Sequence, residues 1–223
     1  MKKNRVCIDP GHGGHDPGAL GPSGLRESDM ALDVCKRIRA FLEPHVDVVM
    51  TRDDDSFVTL TKRAQIANDS RCCRFLSYHF NSATSVNATG WEIYTTPGQN
   101  NSDKLATSVA EHHKKLFANQ RQRSDWNDGD IDKEANFAVI REANMPAVLM
   151  EGEFIHTSHG ETFIKSQYNR ILMAQAAAFG ILDDLGIIRH KPDPLLLKTD
   201  RQRIDDLEKK VEQLMAYSKL PTI

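Results

Sequence analysis

Four side chains of this sequence have the chemistry of a metal site: His12, Glu27, His79 and Glu151. The two histidines and Glu151 each follow a short apolar run of the kind that forms a buried strand. Glu27 lies where a glycine-rich loop passes into a predicted helix. Because ligands of open α/β sheets bind beyond the carboxyl ends of the strands, we expect all four side chains to meet at one edge of one sheet.

The set His12, Glu27 and His79 is a common protein shell for catalytic zinc, which leaves one position open for water. Glu151 is then the candidate general base for that water. Ligand types alone do not separate zinc from another divalent ion. Simpler explanations exist, since His12 could be a loop residue, Glu27 a favourable charge at a helix N-terminus and His79 a core histidine. Glu151, at the end of an apolar strand, needs a partner or a raised pKa.

Other polar residues are weaker candidates. Asp9 either orients His12 from behind or has a simple role in a turn. His112 and His113 lie in a polar stretch of a predicted helix, and we expect them on its solvated face.

Predicted strands and helices alternate along the first 188 residues. The strands are predicted at Val6–Ile8, Val46–Thr51, Arg74–Tyr78, Gly90–Thr95 and Ala147–Met150, and the helices at Ser28–Glu43, Leu60–Asn68, Asp103–Phe117 and Ser158–Leu185. This order predicts a single α/β domain over residues 1–188, with a twisted, mostly parallel sheet flanked by helices.

The character of the chain changes after a predicted linker at 189–196. Over 197–220, apolar residues recur with a heptad spacing: Leu197, Ile204, Leu207, Val211 and Leu214. β-branched residues at one heptad position and leucine at the other favour a two-stranded coiled coil, and hence a homodimer through this C-terminal helix. The alternative is an amphipathic helix that lies back on its own domain, because so few heptads are marginal.

Composition excludes several classes of protein. The chain has 29 Lys and Arg against 31 Asp and Glu, a net charge of −2, which argues against a nucleic-acid binder that relies on bulk positive charge. No apolar run approaches the roughly 18 residues of a membrane span. The basic start is not followed by the apolar core of an export signal, and Cys7, Cys35, Cys72 and Cys73 form no CxxC pair. We therefore expect free thiols and a cytoplasmic location.

A family resemblance emerges from these motifs. The run Val6-Cys-Ile-Asp-Pro-Gly-His-Gly-Gly14 resembles the opening motif of the zinc-dependent N-acetylmuramoyl-L-alanine amidases. Similar blocks follow in the same order up to about residue 188, among them Thr51-Arg-Asp53, Leu60-Thr-Lys-Arg63, Phe75-Leu-Ser-Tyr-His-Phe-Asn-Ser82, Gly90-Trp-Glu-Ile-Tyr94 and Pro146-Ala-Val-Leu-Met-Glu151.

The resemblance implies that His12, Glu27 and His79 bind Zn²⁺ and that Glu151 is catalytic. The family usually has Glu-X-Gly-Phe, whereas this chain has Glu-Gly-Glu-Phe from residue 151. Because residues two apart face the same way on a regular strand, Glu153 is an alternative base.

The implied substrate is bacterial peptidoglycan, cut between N-acetylmuramic acid and the L-alanine of the stem peptide. Trp126 and Asn81 are candidate substrate contacts. Two alternatives remain, a zinc peptidase that cuts within the stem peptide and a non-catalytic wall-binding or regulatory module of the same fold. A wall hydrolase without an export signal resembles a phage endolysin, kept in the host cytoplasm before its release to the cell wall. The alternative is a host enzyme that is exported by another route.

Overall fold

The computed structural model describes residues 4–126 and 129–188. Its strands are β1 (Arg5–Pro10), β2 (Asp47–Met50), β3 (Arg74–Asn81), β4 (Glu92–Thr95), β5 (Lys133–Glu134) and β6 (Ala147–Phe154). Its helices are α1 (Glu27–Leu42), α2 (Leu60–Asp69), α3 (Asn101–Leu116), α4 (Ala138–Arg141), α5 (Ser158–Lys165) and α6 (Gln167–Asp184). The predicted linker at 189–196 and the heptad helix at 197–220 lie outside the described residues, so the homodimer remains a prediction.

All the described strands form one sheet in the order β2-β1-β3-β6-β4-β5. The strands β2, β1, β3 and β6 are parallel to one another. Strand β4 runs antiparallel to β6, and β5 is parallel to β4. This confirms the predicted α/β fold with a mostly parallel sheet.

Helices cover both faces of the sheet. On one face α6 packs between α1 and α3. On the other face, α2 and α4 cover an apolar cluster that includes Cys7, Phe75 and Leu149. The residues that follow these three along their strands, Ile8, Leu76 and Met150, are also buried. Burial on both faces explains why the parallel strands are apolar without alternation.

Two predicted boundaries were wrong. β3 and β6 pair as far as Asn81 and Phe154, so His79 and Glu151 lie within the ends of strands and not after them. The predicted helix Ser158–Leu185 is two helices, because Ser166 has an extended backbone (φ −63°, ψ 112°) and its hydroxyl caps α6 by accepting from the Asn169 amide. A serine at such a position is a typical start signal for a helix.

The expectation of a solvated face was also wrong for His113. Its side chain is 1% exposed and lies on the buried side of α3, one turn after Val109 and Ala110. The ring centroid is 4.7 Å from that of Trp91, and Nε2 lies 2.9 Å from Oε1 of Gln120. Burial disfavours the charged imidazole and lowers the pKa of His113 to about 4.

The four cysteines are free, and three of them are buried. None of the helices in the described part of the chain is both long and apolar enough to cross a bilayer.

We expect His113 to make the fold less stable in mild acid. Its pKa falls from 6.5 in the unfolded chain to about 4 in the folded one, so below pH 6.5 the unfolded chain binds the proton more readily. The stabilising contribution of neutral His113 is complete above pH 6.5 and is lost as the pH falls toward 4, by up to about 3 kcal/mol.

The measurement is urea unfolding of the wild type and of His113→Gln between pH 7.5 and 4.5. Carboxylate titrations common to both proteins cancel in the difference between their unfolding free energies. That difference should shrink as the pH falls, and a difference that does not change with pH would contradict the assignment.

Candidate active site

The loop after β1 holds His12 in an uncommon backbone conformation. The φ angle of His12 is 59°, in the left-handed region, and the next residues, Gly13 and Gly14, also have positive φ angles. Histidine adopts this region more often than most residues, but the conformation persists only where the surroundings fix it. The position of the His12 imidazole is therefore set by whatever holds the loop.

Two buried arginines hold this loop through its carbonyl groups. Arg63 donates to the carbonyl oxygen of His12 at 2.6 Å. Arg52 donates to those of Gly11 and Ser28, at 2.7 and 2.8 Å. Since Ser28 lies in the first turn of α1, Arg52 fixes the histidine loop to the start of that helix.

His12, Glu27 and His79 meet at the carboxyl edge of the sheet, as predicted. Oε1 of Glu27 lies 3.1 Å from Nε2 of His12 and 3.0 Å from Nδ1 of His79. One ligand atom from each residue lies within 4.8 Å of the others. Glu27 also accepts from the backbone amides of Phe80 and Ala19, so its carboxylate is fixed. This arrangement of two imidazoles and a carboxylate could hold a metal ion.

The charges in the cluster support one another. Burial alone would raise the pKa of Glu27, but hydrogen bonds and charge from the two histidines outweigh it and hold that pKa well below its usual range. Burial would likewise lower the pKa of His12, but Glu27 and Asp16 outweigh it and raise that pKa. The carboxylate thus stays ionised, which is the form that a metal ion binds.

Each histidine is oriented by a partner behind it. Nδ1 of His12 lies 2.8 Å from Oδ2 of Asp16, which leaves Nε2 as the ligand atom. Nε2 of His79 lies 3.1 Å from the Ser77 hydroxyl, which donates to Asp9 at 2.6 Å, and this leaves Nδ1 as the ligand atom. Such partners fix the tautomer and angle of a ligating ring. Sequence reasoning missed the roles of Asp16 and Ser77 as partners of the two histidines. It considered Asp9 as a partner of His12, whereas Asp9 is linked to His79 through the Ser77 hydroxyl.

Two glycines are required by close approach to the cluster. A Cβ on Gly11 would lie 2.2 Å from Cε1 of His79, and one on Gly18 would lie 2.7 Å from Cδ2 of His12. Both distances are well inside van der Waals contact, so any side chain there would displace a histidine ring.

Glu151 lies beside His79 in the register of β3 and β6. The side chain is half-buried, and its Oε2 is out of contact with solvent and has no hydrogen-bond partner. Burial, together with the charges of Glu27 and Glu92, raises the pKa of Glu151 well above its usual range. A buried carboxylate oxygen without a partner is costly, so Glu151 is a candidate for a catalytic role.

Glu92, which sequence reasoning missed, lies on the other side of Glu151 in the register of β4 and β6. Its carboxylate is paired with Arg123 at 2.5 Å and with Lys133 at 2.9 Å. It also accepts from the Tyr94 hydroxyl. Both carboxylate oxygens of Glu92 therefore have cationic partners, whereas Oε2 of the adjacent Glu151 has no partner.

The alternative base, Glu153, is held away from this cluster. Between the paired positions His79–Glu151 and Asn81–Phe154, β3 advances two residues and β6 advances three, which is a bulge. The bulge interrupts the alternation on which the same-face argument depended. The buried Glu153 carboxylate accepts from the Gly90 amide and from Gln120, at 2.7 and 2.9 Å.

The predicted substrate contacts stay predictions. Trp126 is 61% exposed and immediately precedes the two residues that the structure does not describe. Asn81 ends β3 two residues after His79, and its side chain accepts from the Ser82 amide at 2.8 Å. Both side chains are accessible to a ligand.

We expect Arg63→Met to destabilise the fold strongly. Arg63 is 2% exposed and pairs with Asp9, which is fully buried, at 2.8 Å. Removal of one partner leaves the other charge buried, and this typically costs about 3–5 kcal/mol. The measurement is urea unfolding without added metal. Arg141→Met is the control, since the exposed pair of Arg141 with Glu142 should contribute under about 1 kcal/mol. Equal stabilities of the two variants would contradict this assignment.

Known proteins resemble this chain in sequence and in structure. The chain is 30% identical to the N-acetylmuramoyl-L-alanine amidase AmiC of Neisseria meningitidis, over 79% of this chain and 51% of that protein. It is 33% identical to the sporulation-specific N-acetylmuramoyl-L-alanine amidase of Bacillus subtilis, over 79% of this chain and 66% of that protein. The chain thus spans about half to two thirds of the length of these relatives.

A solved structure of the amidase AmiC2 of Nostoc punctiforme superposes with a TM-score of 0.75 at 34% identity, over 82% of this chain and 97% of that chain. The catalytic domain of CwlV from Bacillus (Paenibacillus) polymyxa gives 0.76 at 30% identity, over 83% and 99%. The model of the N-acetylmuramoyl-L-alanine amidase family matches residues 6–183. With its histidine and glutamate cluster at the expected sheet edge, this chain belongs to the N-acetylmuramoyl-L-alanine amidase family.

Proposed function

We propose that this protein is a zinc-dependent amidase that hydrolyses the bond between N-acetylmuramic acid and the L-alanine of the peptidoglycan stem peptide. The observation that carries the proposal is the juxtaposition of a His12–Glu27–His79 ligand cluster with the unpartnered carboxylate of Glu151. Membership of the amidase family gives the substrate class.

The donor set fits zinc. Zinc sites of hydrolases combine two histidines with one glutamate, and each histidine here has the outer hydrogen bond that such ligands have. A zinc ion bound by these residues supplies Lewis-acid chemistry, which polarises the amide carbonyl and lowers the pKa of water.

Glu151 carries the proton transfers. Its carboxylate accepts the proton of the water whose oxygen attacks the amide carbon. The same carboxyl group then donates that proton to the alanine nitrogen as the carbon–nitrogen bond breaks. The products are the lactyl carboxylate and a free amino group on alanine. Burial and the neighbouring glutamates favour the protonated form of Glu151, and this helps it to hold the proton between the two transfers.

A lytic role as a phage endolysin, held in the host cytoplasm until its release to the wall, is part of this proposal. The free and mostly buried cysteines are consistent with a protein that folds in a reducing compartment. A polymeric substrate also needs an open site. The described residues between 119 and 135 contain no helix that could lie over the candidate metal ligands, which is consistent with such a site.

The reaction is tested by metal analysis together with mass spectrometry of purified peptidoglycan after digestion. We expect about one zinc per chain, and fragments with a free lactyl carboxylate on the sugar and a free amino group on L-alanine. New termini within the stem peptide would identify a zinc peptidase instead. Zinc binding without released fragments would favour a wall-binding module.

The assignment of the base is tested by Glu151→Gln, which keeps the shape of the side chain but removes the proton acceptor. We expect zinc content and wall binding near those of the wild type, and a loss in kcat of at least about 100-fold.

Glu153→Gln is the matched control. Since the Glu153 carboxylate is occupied by the Gly90 amide and Gln120, this variant should lose stability but keep kcat within about tenfold. Normal turnover in Glu151→Gln, together with a loss of turnover in Glu153→Gln, would identify Glu153 as the general base.

A further inference from the structure

A second group of potential metal ligands lies apart from the candidate active site. The carboxylates of Asp103, Asp130 and Asp132 each offer an oxygen, and these oxygens lie within 4.8 Å of one another. Asp103 is in the first turn of α3, and Asp132 directly precedes β5. The three side chains therefore join two segments that are distant in sequence.

Two oxygens of this cluster are buried without a partner. Asp132 is 2% exposed, and although its Oδ2 accepts from the Thr95 hydroxyl at 2.5 Å, its Oδ1 accepts from no group. In Asp130, Oδ2 accepts from Gln99 at 2.9 Å, and the buried Oδ1 again has no partner. A buried ionised carboxylate is costly unless a charge or hydrogen bonds compensate it.

The described chain supplies no cation to these two carboxylates. Neither Asp130 nor Asp132 forms an ion pair with a lysine or arginine among residues 4–126 and 129–188. By contrast, the similarly placed Glu92 is paired with both Arg123 and Lys133. Adjacent carboxylates that share a site repel one another unless a proton or an external cation lies between them.

We propose that Asp103, Asp130 and Asp132 bind a calcium ion. All the ligand atoms are carboxylate oxygens, which hard divalent cations prefer, and the cluster contains no imidazole or thiolate that would select zinc. The flexible coordination of calcium suits three side chains from two segments, with water to complete the shell. This ion would supply the positive charge that Oδ1 of Asp130 and Oδ1 of Asp132 lack.

Such an ion would support the candidate active site from a distance. It would tie the segment before β5 to the start of α3, and Lys133, the residue after Asp132, donates to Glu92 at 2.9 Å. Glu92 is the register neighbour of Glu151. Calcium would thus hold Lys133 in place beside Glu92, the neighbour of the proposed base Glu151.

The test is isothermal titration of CaCl₂ into the chain of residues 1–223 in calcium-free buffer at pH 8. At that pH Asp132, whose pKa burial raises to about 7, is mostly ionised. We expect saturable binding of about one calcium per chain, with a dissociation constant of about 10⁻⁵–10⁻³ M, and a melting temperature that rises with calcium concentration.

Asp132→Asn and Asp130→Asn should each weaken calcium binding by at least about tenfold, because each removes a ligand charge. Asp69→Asn is the control, since Asp69 is an exposed carboxylate at the end of α2, and it should bind like the wild type. Far-UV circular dichroism of every variant shows that the fold is intact.

Absence of saturable binding by the wild type up to about 10 mM calcium, a range that covers even weak protein sites, would overturn the proposal. Equal affinity in the wild type and both cluster variants would do the same. These measurements need no turnover, so they succeed or fail independently of the amidase assignment.

Discussion

The structure depends on the burial of one carboxylate, that of Asp9, near the end of strand β1, which pairs with β2 and β3. Asp9 is fully buried, and its charge is compensated by Arg63 at 2.8 Å and by the hydroxyls of Thr51 and Ser77 at 2.5 and 2.6 Å. These partners come from the loop after β2, from α2 and from β3. A buried charge without such partners would be too costly to keep, so Asp9 forces these elements together at the carboxyl edge of the sheet.

The same requirement positions the candidate metal ligands. Arg63 also donates to the carbonyl oxygen of His12, and the Ser77 hydroxyl also lies within hydrogen-bond distance of the His79 ring. Arg63 and Ser77, which both bind Asp9, therefore also position the two predicted histidine ligands. Glu27 completes the set because Arg52 fastens the start of α1 to that loop. The three candidate ligands are thus held in place by hydrogen bonds within the protein itself, as an organised catalytic site requires.

Sequence alone predicted the fold and the positions of His12, Glu27, His79 and Glu151, because apolar runs mark the strands and the order of elements brings their ends together. It could not place Asp16 or Glu92, since their partners depend on loop geometry and strand register. It put His113 on the wrong face because polar neighbours hid the spacing of Val109 and Ala110. The bulge at Glu153 was also hidden, because regular alternation is the default for any strand.

The neighbours of Glu151 explain why one glutamate of the row is suited to proton transfer. Across the edge of the sheet, His79, Glu151 and Glu92 occupy neighbouring strands in register. Glu92 is neutralised by Arg123 and Lys133, which belong to the segment between α3 and α4. If Glu92 lacked these cations, two adjacent carboxylates would compete for the same proton, and their titrations would merge. Because Glu92 is paired with two cations, Glu151 is the glutamate of this row that has a carboxylate oxygen without a partner, as the proposed base requires.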